Sequence, residues 1–200
     1  MKNYVIIGAM DGMSHDNIFD RLKDEMDYQA YFIEPVPYYF DRLKENVKQL
    51  SNANAYNFFI SDNDGSVEMA FVKPEWISND SAFLDGCSSL IENGEPLNRY
   101  LKELPKSILS TISVAAITFD QFCKWYDIKD IYYLQLDTEG CDQRILNTID
   151  LDKYKIKELK FENHYISDTF YTELLIKYPN YKGEIIGADI ILNDVSLKTY

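Results

Sequence analysis

Apolar positions follow two rhythms along the chain: short unbroken runs, and longer stretches in which they recur at every third or fourth place. Tyr4 to Ile7 is a β-branched run suited to a strand buried on both faces. Ile18, Phe19, Leu22 and Met26 recur at helical spacing and predict a helix over 18–26 that lays one face on a sheet. Tyr31 to Ile33 predicts a second strand, stopped by Pro35 and Pro37, and Phe40, Leu43, Val47 and Leu50 predict a helix over 38–50. A third strand is expected over 55–60, then a polar turn from Ser61 to Gly65 and an alternating strand over 66–72. Residues 73–110 lack strong periodicity. They carry Pro74, Pro96, Pro105, a Gly86-Cys87-Ser88-Ser89 patch and a modest helical stretch near 97–104, and read as an insertion of the kind that holds substrate-facing loops.

The rhythm returns with a strand over 113–117 and a helix to Tyr126, opened by Thr118 and Gln121 at capping-box spacing. Further strands are expected over 131–137 and 159–162, with helices around Ile145 and Leu146 and over 167–177. Runs over 181–186 and 189–192, joined by Gly187, predict a closing antiparallel hairpin. Strands alternating with helices imply a single α/β domain over 1–200. Its central sheet should be mostly parallel, with helices on both faces.

Composition narrows the function. The chain has 200 residues, 46% hydrophobic and 26% charged, as in ordinary globular proteins. No apolar run is long enough to span a bilayer and no secretory leader pattern opens the chain, so a cytoplasmic protein without membrane contact is expected. A net charge of −13 argues against a nucleic-acid partner, whose phosphates need clustered Lys and Arg, and favours a neutral or cationic substrate. Cys87, Cys123 and Cys141 show no paired spacing, so neither a disulfide framework nor a structural zinc site is expected.

In an open sheet of this kind ligands bind at the carboxyl ends of the strands. The polar residues expected there are Asp11, Glu34, Ser61 with Asp62, Asp137 with Glu139, and Glu162 with His164. Gly8 and Gly12 let the first turn bend and approach a ligand, and Asn17 is placed as a helix N-cap beside it. Glu34 ends the second strand roughly twenty residues beyond the glycine turn, where an acid accepts hydrogen bonds from a ribose diol. The turn is not GxGxxG and no arginine cluster awaits a pyrophosphate, so a nucleoside bearing a positive sulfonium fits better than a dinucleotide.

Ile7-Gly8-Ala9-Met10-Asp11-Gly12 with Ser14-His15-Asp16-Asn17, Phe32-Ile33-Glu34-Pro35-Val36-Pro37, Ile60-Ser61-Asp62, Ser88-Ser89-Leu90, Ile117-Thr118-Phe119-Asp120 and Leu136-Asp137-Thr138-Glu139-Gly140 occur in this order. Together they resemble the FkbM-family S-adenosylmethionine-dependent methyltransferases. The resemblance implies a Rossmann-like class I methyltransferase fold, S-adenosylmethionine as cofactor, and O-methylation of a sugar, glycan or other small molecule. It assigns Gly8, Ala9 and Gly12 to the methionine part of the cofactor, Glu34 to the ribose, and Ser61 and Asp62 to the adenine. Asp11, Asn17 and Asp137 complete the expected cofactor set, and Asp137, Glu139 and His164 are the expected catalytic residues. The family usually carries an acid two places before the glycine; here that place is Ile6, which leaves the cofactor's amino group to Asp11 or Asp137. The competing expectation is a binding module without catalysis, with N-methyl transfer and nucleic-acid methylation behind it. A larger glycan-modifying protein containing this domain is a further expectation.

Overall fold

The computed structural model describes residues 1–14 and 17–197, with Asn79 and Asp80 described by backbone alone. The elements in chain order are β1 (Lys2–Ile7), α1 (Ile18–Lys23), β2 (Tyr28–Ile33), α2 (Pro37–Asn46), β3 (Ala53–Tyr56), β4 (Phe59–Ser61) and β5 (Gly65–Val72). They continue with β6 (Ser88–Glu92), β7 (Glu95–Pro96), α3 (Arg99–Glu103), β8 (Leu109–Thr118), α4 (Phe119–Trp125) and β9 (Tyr133–Leu136). Then come α5 (Asp142–Leu146), β10 (Glu158–Glu162), α6 (Phe170–Lys177), β11 (Tyr181–Ile186) and β12 (Asp189–Asp194).

Seven strands form one sheet in the order β11-β12-β10-β9-β1-β2-β3. From β10 to β3 every neighbouring pair is parallel, while β12 pairs antiparallel with both β10 and β11. The chain therefore starts in the middle, moves outward through β2 and β3, and crosses back to β9, so strand order reverses between β1 and β9. That reversal leaves a crevice at the carboxyl ends of the two strands.

Alternate residues of β1 serve opposite faces. Tyr4 and Ile6 pack with Ile18, Phe19 and Leu22 of α1 and with Leu43 of α2. Val5 and Ile7 join Ile33, Leu134 and Leu136 in a larger cluster that takes in Ile60, Phe119, Phe122 and Ile145. With both faces covered, the central strands bury nearly all their side chains, which is why they read as largely apolar runs, interrupted in β9 by Gln135. No helix among the described residues is long and apolar enough to cross a membrane.

A second, five-stranded sheet, β4-β8-β5-β6-β7, was not expected from the sequence. It arises because the run over 55–60 is two strands: β3 pairs with β2, whereas β4 pairs in parallel with β8. Asn57, between them, donates from Nδ2 to the carbonyls of Glu34 and Pro35 at 2.9 Å each and fixes the break. β5 and β8 then run antiparallel from Gly65 opposite Ala116 to Val72 opposite Leu109, a ribbon longer than the strand expected over 113–117. Two helices are shorter than their apolar spacing implied. α1 stops at Lys23 and leaves Met26 exposed, and α2 yields to a 3-10 turn at Val47 and buries Tyr39 instead of Phe40.

Gly8 has φ +80°, and a Cβ there would lie 1.8 Å from the Asp137 carbonyl oxygen, a backbone atom that cannot swing aside. Gly187 has φ +63°, and a Cβ there would meet nothing within 4 Å. Urea denaturation should therefore find Gly8→Ala destabilising by about 3 kcal/mol or more and Gly187→Ala by only about 1 kcal/mol, because the first adds a steric clash to the left-handed backbone cost that both share. Equal costs at the two positions would contradict the close approach of β1 and β9.

Candidate active site

Phe161, Leu136, Ile7 and Ile33 stand side by side across β10, β9, β1 and β2. The next residue in each chain direction is Glu162, Asp137, Gly8 and Glu34. Parallel register thus delivers three carboxylates and one glycine to a single rim. They line a cavity of about 330 Å³ whose walls also include Ile6, Met10, Gln135, the Phe58–Ile60 stretch, and Phe83 with Asp85 to Ser88 from the insertion. No lysine, arginine or histidine lines it among the described residues.

The glycine turn is held from both sides. The N–H groups of Gly8 and Ala9 both donate to the Ile33 carbonyl at 3.0 Å, and Asp137 N–H donates to the Ile7 carbonyl at 3.0 Å. Asp11 closes the turn: Oδ1 accepts from the N–H groups of Met13 and Ser14, and Oδ2 accepts from Ser14 Oγ and from Arg42 at 2.6 Å. Burial pushes the Asp11 carboxyl up, but the bonds from Ser14 and Met13 and the Arg42 charge outweigh it and hold the group below its ordinary range. Arg42 also reaches Asp85, and Asn46 donates to the Asp11 carbonyl at 2.8 Å, so α2 ties the turn to the insertion.

Glu34 is fully buried and takes two backbone donors, Met10 N–H on Oε2 at 2.9 Å and Val36 N–H on Oε1 at 2.8 Å. Without a cationic partner burial wins, and its carboxyl is pushed up to about 8. Each oxygen keeps a lone pair for a further donor.

At the β9 end, Glu139 has φ +52° and is fastened by the insertion: Ser89 Oγ donates to its carbonyl at 3.2 Å and Asn98 Nδ2 to its Oε2 at 2.5 Å. Burial, then the neighbouring Glu162 charge, pushes its carboxyl up to about 7. Asp137 is open to the cavity yet deep in the protein. Its carboxyl lies well above the ordinary range, through desolvation first and then Glu139, Asp142 and Glu162. Asp142, buried at the start of α5, accepts from Thr138 N–H at 2.9 Å and from the Thr138 hydroxyl on Oδ1, and from Glu162 N–H at 2.9 Å on Oδ2. It therefore fixes the β9 and β10 ends relative to each other.

Of the expected site residues, Gly8, Ala9, Asp11, Gly12, Glu34, Asp137 and Glu139 meet on this cavity. Asp11 acts there as a brace, its carboxylate engaged within the protein. Ser61 and Asp62 do not line the cavity: Ser61 bonds to Asp62, and Asp62 pairs with Arg144 through both oxygens at 2.8 and 2.9 Å. The preceding residues of β4 form the wall instead. Asn17 stands at the N-cap place of α1 but is exposed and makes no side-chain cap bond, and His15 and Asp16 of the same motif lie outside the described residues. His164 is exposed and off the cavity wall, with Nδ1 3.0 Å from Glu162 Oε1. The insertion over 73–110, expected to hold substrate-facing loops, does place Phe83 and Asp85 to Ser88 on the cavity. Sequence reasoning missed Gln135, Asn98 and Asp142; only Asp142 carried a usable signal, an acid opening a helix after a strand.

The pattern that defines the Methyltransferase FkbM domain matches residues 7–182. Among solved structures the chain resembles the crystal structure of Methyltransferase FkbM from Methylobacillus flagellatus KT, with a TM-score of 0.58 and 13% identity, over 96% of this chain and 43% of that one. The chain thus spans less than half the length of that protein. It also aligns with a human methyltransferase 10 domain containing protein at a TM-score of 0.42 and 10% identity, over 96% of this chain and 70% of that one. No curated protein sequence matches the chain.

Burial of Glu34 sets a stability signature. A raised carboxyl pKa means that the folded state holds the proton more tightly, so its contribution is fully present below about 4.5 and is lost as pH rises to about 8. Unfolding free energy should fall over that window, and Glu34→Gln, whatever its constant offset, should flatten the slope by up to about 5 kcal/mol in total. Parallel pH profiles in urea for the two proteins would contradict the assignment.

Proposed function

The chain belongs to the FkbM methyltransferase family, and from that premise we propose that it moves the methyl group of S-adenosylmethionine to a hydroxyl of a sugar, glycan or other small molecule. The observation that carries this reading is Glu34, a buried carboxylate at the end of β2 that borders the cavity with acceptor capacity left over. A ribose diol offers two donors to such a group. The sheet order, with antiparallel β12 between β10 and β11 and the cavity at the strand-order reversal, supports a Rossmann-like class I methyltransferase fold.

The residues present suit the cofactor. The glycine turn brings backbone close to the cavity without side chains in the way, and the apolar Phe58–Ile60 wall is suited to a flat base. With Ile6 apolar and Asp11 engaged by Arg42, Asp137 is the open carboxylate left for the cofactor's ammonium. S-adenosylmethionine supplies an electrophilic methyl on a positive sulfonium. The protein's part is to hold that group against the acceptor, exclude water and receive a proton. An acidic cavity with no lysine, arginine or histidine among its described lining residues suits a neutral polyol better than a phosphate-bearing acceptor.

Titration calorimetry tests the reading. S-adenosylmethionine should bind in the micromolar range, more tightly at about pH 8.5 than at about pH 6.5, with release of a proton, because ribose hydroxyls favour the ionised Glu34. Absence of binding at millimolar cofactor would contradict it.

A further inference from the structure

The three carboxylates at the β9 and β10 end of the cavity differ in their hydrogen bonds. Glu139 has Oε2 committed to Asn98, an amide that does not titrate. Asp137 follows Leu136 beneath the Gly8 turn and is surrounded by like charges. Glu162 is placed otherwise. Its N–H is anchored on Asp142, and its Oε1 meets Nδ1 of the solvent-facing His164 at 3.0 Å. Its Oε2 is buried with no hydrogen-bond partner among the described residues, while the residue lines the cavity. A buried carboxylate oxygen left without a donor is costly, and because this oxygen has no open surface of its own, a donor from the cavity that Glu162 lines meets it only when the carboxylate turns.

Resting on the methyl-transfer reading, we propose that Glu162 takes the proton the acceptor loses, with His164 as the positioning residue that holds Oε1 and leaves Oε2 for the reacting group. The acceptor oxygen gains the methyl carbon as that carbon's bond to sulfur breaks, the electron pair staying on sulfur and cancelling the sulfonium charge. The proton on the acceptor oxygen passes to Glu162 Oε2, the carboxylate becomes a carboxylic acid, and the proton returns to solvent when product leaves. Burial raises the Glu162 carboxyl against the opposing His164 bond, which makes the carboxylate a better base than one in water.

The test needs no acceptor. Sinefungin carries a protonated amine where the cofactor carries its methyl sulfonium, and S-adenosylhomocysteine carries neither, so the ratio of their affinities reports a carboxylate at the reacting position. By calorimetry at neutral pH the wild-type protein should prefer sinefungin by about tenfold or more, the size of a charge-assisted hydrogen bond. Glu162→Gln should bring the ratio to within about twofold of unity while S-adenosylhomocysteine still binds as before, and Glu162→Asp, which withdraws the carboxylate by one methylene, should fall between. His164→Gln should lower the ratio severalfold with melting temperature and S-adenosylhomocysteine affinity kept; an unchanged ratio would remove it as a positioning residue. A preference that survives Glu162→Gln, or that vanishes in Asp137→Asn or Glu139→Gln instead, overturns the assignment to Glu162. Tight binding of both analogues without preference also overturns it, whereas binding of neither by the wild type overturns the methyl-transfer reading beneath it.

Discussion

The Asp137 carbonyl lies 1.8 Å from where a Cβ on residue 8 would stand, and the site depends on that approach. Only glycine lets β1 end directly against the end of β9, where the chain turns with φ +80° and has no room for a Cβ. Once the two strands meet, parallel register sets Glu34 and Glu162 on either side, because each follows a residue already aligned across the sheet. A ligand crevice at the reversal of strand order is then a consequence of pairing geometry. The same contact explains why Gly8 matters even before any ligand is considered.

Two buried acids around the glycine turn have opposite fates, and the difference is one of partners. Asp11 has an arginine and a hydroxyl and stays ionised as a brace. Glu34 has two neutral backbone donors and no cation, so desolvation dominates and pushes it up to about 8. The second arrangement leaves a group whose charge responds to what enters the cavity. Asp137, Glu139 and Glu162 extend the same condition, each raised by burial and by neighbouring acids. A cationic group entering that end relieves both penalties at once, which fits a cofactor bearing a sulfonium and an ammonium.

Much of this was legible in the sequence because the central strands are buried on both faces. Tyr4 to Ile7, the Tyr31 to Ile33 run and the strand ending at Leu136 read as apolar blocks, and the acids that follow them announce the rim. Pairing partners were not legible. The run over 55–60 is largely apolar, and nothing local says that its second half leaves the main sheet, so Ser61 and Asp62 were expected at a rim they do not reach. The insertion was legible as a substrate-facing segment, but its internal pairing and contacts were hidden for a related reason. Its strands are short, and its tasks fall to isolated polar side chains, Ser89 and Asn98 on Glu139 and Asp85 on Arg42, which have no periodicity to detect. His164 was expected at the rim because it follows a strand end, and the structure places it off the cavity wall, beside the carboxylate of Glu162, which lines the cavity.

The function proposed above puts the cofactor in the crevice between β1 and β9 with Glu34 on its ribose. A crystal structure of the protein with S-adenosylhomocysteine addresses it most directly. The ligand is expected within the cavity beside the glycine turn, with its ribose hydroxyls at hydrogen-bond distance from the Glu34 carboxylate. Ligand density outside that cavity, or a ribose held by Ser61 and Asp62 with Glu34 untouched, would contradict it.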